Sequence, residues 1–323
     1  MSSCTLNITT GIQNFQLVAL IPTFILGVPG NIYVLVMFCR RPRTKWTYMN
    51  IYISNMAIAD CVVLALLPVR IASYFWVDLV LNDQKYKELC FVLVSAYYVN
   101  MYVSIFTVTA ISVVRYVAIK YPLKAREALC CRNALVVCVL IWLVTCSFSA
   151  AFHRVDEQKD NDKFKDNDDN DTFKCFQKNK KTALPLSFIL SMNIIGFLVP
   201  FLIMLFCSLR VIFKLKKQLG IGSRCEKLQC MYIIAANLTV FVICFFPFHF
   251  GFLLKHLLEV HGHDCDAQFF AHNFVHGAMC VSSMNSALDC VSYYFATKSS
   301  WKLCFSKQTT SEEYECNYNR VTQ

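Results

Sequence analysis

The sequence predicts an all-α membrane protein, a seven-transmembrane helix bundle with a short amphipathic eighth helix, and three observations predict it. Of the 323 residues, 56% are hydrophobic, whereas soluble domains contain about 45–50% apolar residues. Seven stretches are long and apolar enough to cross a bilayer, which takes about 20 mostly apolar residues. Lysine and arginine are distributed unevenly among the connecting segments.

The seven apolar stretches occupy most of the chain and predict one membrane domain over residues 17–297. Numbered as spans one to seven, they are 17–39, 48–75, 89–114, 133–152, 182–209, 228–254 and 267–297. Residues 1–16 form an N-terminal segment without a basic n-region, which argues against a cleaved signal peptide. Residues 298–307 predict the amphipathic helix 8, with Cys304 available for palmitoylation, and residues 308–323 predict a cytoplasmic tail.

Charge in the loops predicts the orientation, because lysine and arginine concentrate on the cytoplasmic side. With the N-terminus outside, the inner loops hold four, five and six basic residues (40–47, 115–132, 210–227). The outer loop 153–181 holds eight basic residues but also eight acids. The glycosylation sequons at Asn7 and Asn170 both fall outside. We therefore expect a multi-pass plasma-membrane protein, and the net charge of +10 indicates topology rather than nucleic-acid binding.

Four of the 18 cysteines lie outside or at the outer edge of the bundle: Cys4, Cys90, Cys175 and Cys265. Four cysteines allow three pairings. A Cys90–Cys175 disulfide would tie the second outer loop across the mouth of the bundle. A Cys4–Cys265 disulfide would then fasten the N-terminus to the third outer loop. The alternative, free thiols, is disfavoured in an oxidising space.

Three charged side chains fall well inside the spans, where an ionised group is costly unless it is paired or hydrated. Asp60 and Asp289 lie at a depth similar to that of Ser104 and Asn285. These four residues could hold a sodium ion, or they could form a water-linked network in which one acid is protonated. Arg70 lies nearer the outer face, where it could bind an anionic ligand group or reach the interface instead.

Ordered landmarks make the chain similar to a known family, the rhodopsin-like (class A) G-protein-coupled receptors. The landmarks run from about residue 15 to 305, each in its proper span: Gly30-Asn31, "NMAIAD" ending at Asp60, Cys90, Arg115-Tyr116, Trp142, Pro200, "CFFP" at 244–247 and "NSALDCVSYY" at 285–294. The resemblance implies a receptor for G proteins. It also places Asp60, Ser104, Asn285 and Asp289 in the family's sodium pocket, the one metal site expected.

Within this family, the sequence is similar to the receptor for lysophosphatidylinositol and to its sister receptor for kynurenate-like aromatic acids. "MYVSIFT" and "LDCVSYYF" resemble the first, and "TAISVVRYVAIKYPLKAR" resembles the second. Arg70 and Lys255 fall on basic ligand positions, one in each receptor. The resemblance implies a ligand-binding set of Arg70, Tyr97, Tyr98, Met101, His249, Lys255 and His276. Core packing is the alternative for the tyrosines and Met101, and a satisfied core histidine is the alternative for His249.

The same resemblance implies a switch that couples ligand binding to the G protein. Its members are Val114, Arg115, Tyr116, Phe245, Pro247 and Tyr293. Val114 departs from the family because an acid usually precedes the arginine and restrains it. Two hypotheses follow: basal signalling is elevated because the restraint is lost, or packing holds the inactive state anyway, since exposed ion pairs are weak.

The implied partners are an anionic lysophospholipid or small acid, including lysophosphatidic acid, membrane lipids, arrestin and a heterotrimeric G protein. We expect the Rho-activating G-protein class, with the inhibitory class second. A membrane transporter is the alternative function, although no repeat or charged path indicates one. No nucleophile–base set indicates an enzyme. The cluster at 261–266 could bind zinc, but Cys265 is better explained as a disulfide partner.

Overall fold

The fold is helical throughout the part of the chain that a computed structural model describes, which is residues 8–42, 46–72, 83–161, 185–218, 224–261 and 264–295. The helices are α1 Thr10–Cys39, α2 Tyr48–Ala72, α3 Asp83–Lys120, α4 Pro122–Ala128, α5 Cys131–Asn161, α6 Leu186–Asn193, α7 Val199–Lys217, α8 Arg224–Val260, α9 Cys265–Ser283 and α10 Asn285–Phe295. A π-helical turn, Ile194–Leu198, joins α6 to α7.

Six helical stretches in these residues are long and apolar enough to cross a membrane, and they coincide with predicted spans one to six. The helices extend past the apolar stretches: span three was predicted to end at residue 114, but α3 continues to Lys120. Helices α9 and α10 together cover the range of span seven. The helix is interrupted between them at Met284, and the hydropathy pattern does not predict this interruption.

Large apolar side chains cover the outside of the bundle, while polar side chains fill its centre. Val18, Leu143 and Ile195 are 73%, 59% and 63% exposed. Gln16, Asn31 and Asp60 are fully buried. This distribution is the reverse of that in a water-soluble protein and is expected where the outer surface faces lipid.

Helix α3 lies at the centre of the bundle and packs against α2, α5, α7 and α9. A polar bridge fixes it to two of these helices. The Trp142 indole on α5 donates to Asn55 Oδ1 on α2 at 2.8 Å, and the Asn55 amide donates to Thr107 Oγ1 on α3 at 3.0 Å. Trp142, one of the sequence landmarks, therefore joins three helices.

Gly30 and Asn31 on α1 make the close contact with α10. The Asn31 amide donates to the Ser286 carbonyl oxygen at 2.9 Å and to the Gly27 carbonyl oxygen of its own helix at 3.0 Å. A Cβ at position 30 would collide with the Cys290 sulfur. Glycine is required there because the Cys290 side chain on α10 already fills the space that a Cβ would occupy.

Candidate ligand pocket and switch

Arg70, in the last turn of α2, points into the bundle and is only 4% exposed. Its Nη1 donates to Ser283 Oγ on α9 at 3.5 Å, and its guanidinium carbon lies 5.7 Å from the centre of the Tyr97 ring. Tyr97 shares a hydrogen bond of 2.5 Å with Ser282. The structure therefore brings two of the predicted ligand residues together and does not place Arg70 at the interface.

An aromatic cluster continues from Tyr97 toward the middle of the bundle. The Tyr97 and Tyr98 ring centres are 5.3 Å apart, and the Phe248 ring lies 6.1 Å from both. Met101 is buried in the same cluster. A narrow crevice between α3, α5 and α6 is lined by Tyr98, Tyr102, Thr145, Phe148, Ser149 and Met192. These residues offer apolar surface to an acyl chain or an aromatic ring.

His249 is hydrogen-bonded on both ring nitrogens, beside the proline of α8. Its Nδ1 lies 2.9 Å from the Phe245 carbonyl oxygen, and its Nε2 lies 3.4 Å from the Tyr102 hydroxyl. Because a carbonyl only accepts, the proton is on Nδ1 and Nε2 accepts from Tyr102. Its ring also stacks on Phe197 at 4.6 Å. This geometry fits the alternative of a satisfied core histidine better than that of a free ligand contact.

Lys255 and His276 belong to a second basic group between α8 and α9. Lys255 Nζ lies 3.3 Å from His272 Nδ1 and 3.7 Å from Glu259 Oε1. The His272 and His276 rings are 4.6 Å apart. The sequence interpretation missed His272.

The four predicted sodium-pocket residues occupy the middle of the bundle, and all are buried. The Asn285 amide donates to Asp289 Oδ2 at 2.6 Å. Asn100 and Ser286, which the sequence interpretation did not include, join the group: the Asn100 amide donates to Ser286 Oγ at 3.4 Å. Asn100 lies one helical turn before Ser104, so its spacing on span three could have indicated it.

Besides Ser54 Oγ, four buried oxygen atoms on α2 and α3 have no hydrogen-bond partner of normal geometry within the described part of the chain. They are both carboxylate oxygens of Asp60, Ser104 Oγ and Asn100 Oδ1. Buried polar atoms are rarely left without a partner, so each orphan needs a reason. Carboxylate, hydroxyl and amide oxygens are the ligands that a hard cation prefers. The residues present therefore fit a small cation.

At the inner end of α3, Val114 and Arg115 are both largely buried, with 8% and 7% of their surface exposed. Val114 packs in an apolar cluster with Ile51, Tyr52, Met56, Ile111 and residues of α5. Lys227, which the family resemblance would set against Arg115 as a repelling charge, donates to the Gln218 carbonyl oxygen. Its ammonium group is thus held at the inner end of α7.

The inner ends of α3, α7 and α8 are packed together. A buried cluster joins them, consisting of Ile119, Val211, Leu215, Cys230, Met231 and Ile234. Tyr116 packs beside this cluster, 5.7 Å from the Phe206 ring, and its hydroxyl accepts from Lys120 at 2.7 Å. Phe245, another residue of the predicted switch, is 1% exposed, and its ring contacts the Phe241 ring edge-on with 5.2 Å between the ring centres. A cleft at the inner face would require this cluster to separate.

Some predicted residues lie outside the described residues: Cys4, Asn7, Asn170, Cys175 and Cys304, together with helix 8 and the tail. The side chain of Tyr293 is likewise outside them. The pairing of Cys90 with Cys175 and of Cys265 with Cys4 stays a prediction.

The helices form a seven-helix membrane bundle with a buried pocket of basic and aromatic side chains near one end. Packed helices close the inner face. This arrangement is typical of the class of transmembrane receptors. The chain belongs to the 7 transmembrane receptor (rhodopsin family), whose family model matches residues 30–293. It is therefore a G-protein-coupled receptor, embedded in the membrane by several spans. It is not an enzyme, and its membership of this family favours a receptor over the transporter alternative.

Curated relatives cover most of the chain. G-protein coupled receptor 35 of Mus musculus is 30% identical over 308 residues, which span 92% of this chain and 91% of the relative. G-protein coupled receptor 55 of Mus musculus is 29% identical over 303 residues, 88% and 86% of the two chains. Lysophosphatidic acid receptor 6 of Gallus gallus is 26% identical over 284 residues, 87% and 89% of the two chains.

Proposed function

We propose that this receptor binds an anionic lipid-like ligand of the lysophosphatidylinositol type in the outer half of the bundle and then activates a heterotrimeric G protein. One observation carries the proposal. Arg70 is buried among aromatic and hydroxyl side chains inside the membrane span. A cation at that depth is costly, and such positions mark ligand sites. A phosphate or carboxylate would give it charge-assisted hydrogen bonds.

The apolar surroundings of Arg70 support a ligand with a large apolar part. Tyr97, whose ring faces Arg70, packs in one cluster with Tyr98, Met101 and Phe248, and Tyr98 also lines the crevice beside α5. An acyl chain would pack along these side chains while its head group binds Arg70. A small aromatic acid is the alternative that the same contacts allow. Lysophosphatidic acid is a further alternative, which the name of one relative supports.

The experiment is G-protein activation in cells that express the chain, read across all G-protein classes. Lysophosphatidylinositol, lysophosphatidic acid and kynurenate are applied separately. We expect a dose-dependent rise with lysophosphatidylinositol, and a loss of potency of tenfold or more in Arg70→Gln, since hydrogen bonds to charged groups contribute about 1.5–3 kcal/mol. Arg126→Gln, at an exposed inner position, is the control. A flat response of the wild type to all three ligands, with surface expression shown, would contradict the proposal.

The resemblance supports further proposals about partners and topology. We expect the Rho-activating G-protein class first and the inhibitory class second, and arrestin binding by a phosphorylated tail. The N-terminus is proposed to be extracellular, in the plasma membrane, on the basis of loop charge and of the sequons at Asn7 and Asn170. Labelling of the N-terminus on intact cells tests this orientation.

We also propose an allosteric sodium ion, held by Asp60, Ser104, Asn285 and Asp289 with the help of Asn100. The four orphan oxygens on α2 and α3 support this site. Sodium should raise the melting temperature of the purified receptor relative to potassium at equal ionic strength, because a ligand that binds only the folded protein stabilises it. Asp60→Asn should abolish the difference, and Asp264→Asn, on the surface, should keep it. An equal sodium effect in both variants would exclude the site.

A further inference from the structure

We infer that His272 and Lys255 form an anion-binding position of the ligand pocket, and that Glu259 competes with the acidic group of the ligand for Lys255. This inference rests on the proposed function, because it assumes an acidic ligand. It adds two residues, His272 and Glu259, that neither the motifs nor the resemblance indicates. Both lie on elements that line the outer half of the pocket, α9 and α8.

The contact between Lys255 and His272 determines the tautomer of the histidine. Lys255 Nζ lies 3.3 Å from His272 Nδ1. An ammonium group can only donate, so Nδ1 must accept. A neutral His272 therefore carries its ring proton on Nε2, on the other side of the ring. The lysine thus fixes an N–H donor on the edge of the ring that is turned away from it.

That donor has no acceptor among the residues that the structure describes. His272 is fully buried, and its Nε2 has no hydrogen-bond partner there. The nearest ring is His276, at 4.6 Å and an angle of 66°. A buried donor without an acceptor is unfavourable, and an oxyanion is the acceptor that forms the strongest bond with it. Lys255 contacts the opposite edge of the ring, so its ammonium group reaches the same oxyanion by moving away from Nδ1, which its flexible side chain allows.

Glu259 lies one helical turn after Lys255 and forms a loose ion pair with it. The Nζ to Oε1 distance is 3.7 Å, and the two side chains are 20% and 27% exposed. Ion pairs of this kind contribute little, because water screens them. A phosphate or carboxylate that reaches both Lys255 and the His272 N–H would therefore displace Glu259. Glu259 then lowers the apparent affinity for acidic ligands by a small factor.

The chemistry of this position is that of a single oxyanion, which both ligand classes carry. A lysophospholipid would place its phosphate there, and an aromatic acid would place its carboxylate there. The test therefore includes both. Purified full-length receptor in phosphatidylcholine nanodiscs is titrated with lysophosphatidylinositol, lysophosphatidic acid and kynurenate. Monoacylglycerol serves as the uncharged probe.

His272→Phe keeps a ring of similar size and removes the N–H donor. We expect it to weaken binding of the acidic probe by tenfold or more and to leave monoacylglycerol unaffected. His272→Gln places an amide donor near the Nε2 position and should stay within about threefold of the wild type, because the donated bond is restored. His261→Phe, at an exposed histidine on the same side, is the matched control and should not change binding.

Glu259→Gln should change affinity in the opposite direction, with a two- to fivefold gain for acidic probes, because it removes the competing carboxylate. This exposed variant keeps the inference testable if His272→Phe does not fold. The melting temperature without ligand separates binding from support: it should change little in His272→Phe, since the loss of the unsatisfied donor offsets the loss of the Lys255 bond to Nδ1. A residue needed only for packing would lower it.

The outcomes separate this inference from the function on which it rests. If the wild type binds an acidic probe and His272→Phe and Glu259→Gln both match the control, the anion position is wrong and the receptor function stands. If the wild type binds none of the acidic probes, both fail. If His272→Phe loses affinity for lysophospholipids and kynurenate does not bind the receptor, the oxyanion is a phosphate. If His272→Phe loses affinity for kynurenate and lysophospholipids do not bind, the oxyanion is a carboxylate.

Discussion

Val114 is the residue at which this chain departs most from its family, because an acid usually stands before the arginine. In the structure Val114 is part of an apolar cluster with side chains of α2 and α5. Lys227, which could have repelled Arg115, donates to the Gln218 carbonyl instead. Both observations favour the hypothesis that packing, rather than an ion pair at residue 114, holds the inactive state.

Substitution of Val114 separates the two hypotheses. We expect Val114→Asp and Val114→Asn to have basal G-protein activity within about twofold of each other, since both substitutions disturb the apolar cluster around residue 114 to a similar extent. Asn has the size and polarity of Asp without its charge, so the comparison isolates the charge. Basal activity that is severalfold lower in Val114→Asp than in Val114→Asn would show instead that the absence of an acid at residue 114 elevates signalling.

Among the helical elements, the inner ends of α3, α7 and α8 form the part of the bundle that must move for a G protein to bind. Ile234 on α8 is 4% exposed and lies in the cluster that joins these ends. We expect Ile234→Ala to raise basal G-protein activity severalfold, because loss of core packing costs about 2–5 kcal/mol and destabilises the closed arrangement.

The control for that substitution is Ile243→Ala on the same helix, where the side chain is 56% exposed. Basal activity is measured at matched surface expression for both variants. Equal basal activity in Ile234→Ala and Ile243→Ala would mean that the inner cluster does not hold the closed arrangement.

The contact between α1 and α10 depends on a glycine opposite a cysteine. Gly30→Ala should destabilise the receptor by about 1–3 kcal/mol, as overpacked contacts do, because the new Cβ meets Cys290 Sγ. Adding Cys290→Ala should restore part of the melting temperature, because it removes Sγ and leaves only the closer fit against the Cβ of residue 290. Gly11→Ala on the same helix, with no neighbour within 4 Å of the added Cβ, is the control. If the double variant is no more stable than Gly30→Ala, this contact does not account for the loss.

For the molecule as a whole, the sequence predicts the number, order and approximate ends of the spans. Hydropathy is sufficient for this because each span must satisfy its backbone hydrogen bonds internally and be apolar over about 20 residues. The same signal does not resolve hydrogen-bond type. It therefore missed the π-helical turn at Ile194–Leu198 and the interruption at Met284.

The candidate site was predictable in type but not in detail. Arg70 and Asp60 stand out because charges are rare within spans. Ser286 and His272 do not stand out, since neutral polar residues occur at many positions of the spans, and Asn100 is indicated only by its spacing from Ser104. Only the rotation of each helix shows which of them face one another. That rotation depends on packing between distant segments, such as Gly30 against Cys290.

The most direct test of the account is nucleotide exchange by a purified G protein with the purified receptor in nanodiscs, with and without lysophosphatidylinositol. The account predicts ligand-dependent exchange in the wild type and a shift of the dose response by tenfold or more in Arg70→Gln, with Arg126→Gln unchanged. The account would be contradicted if the ligand bound without changing exchange, or if Arg70→Gln responded as the wild type does.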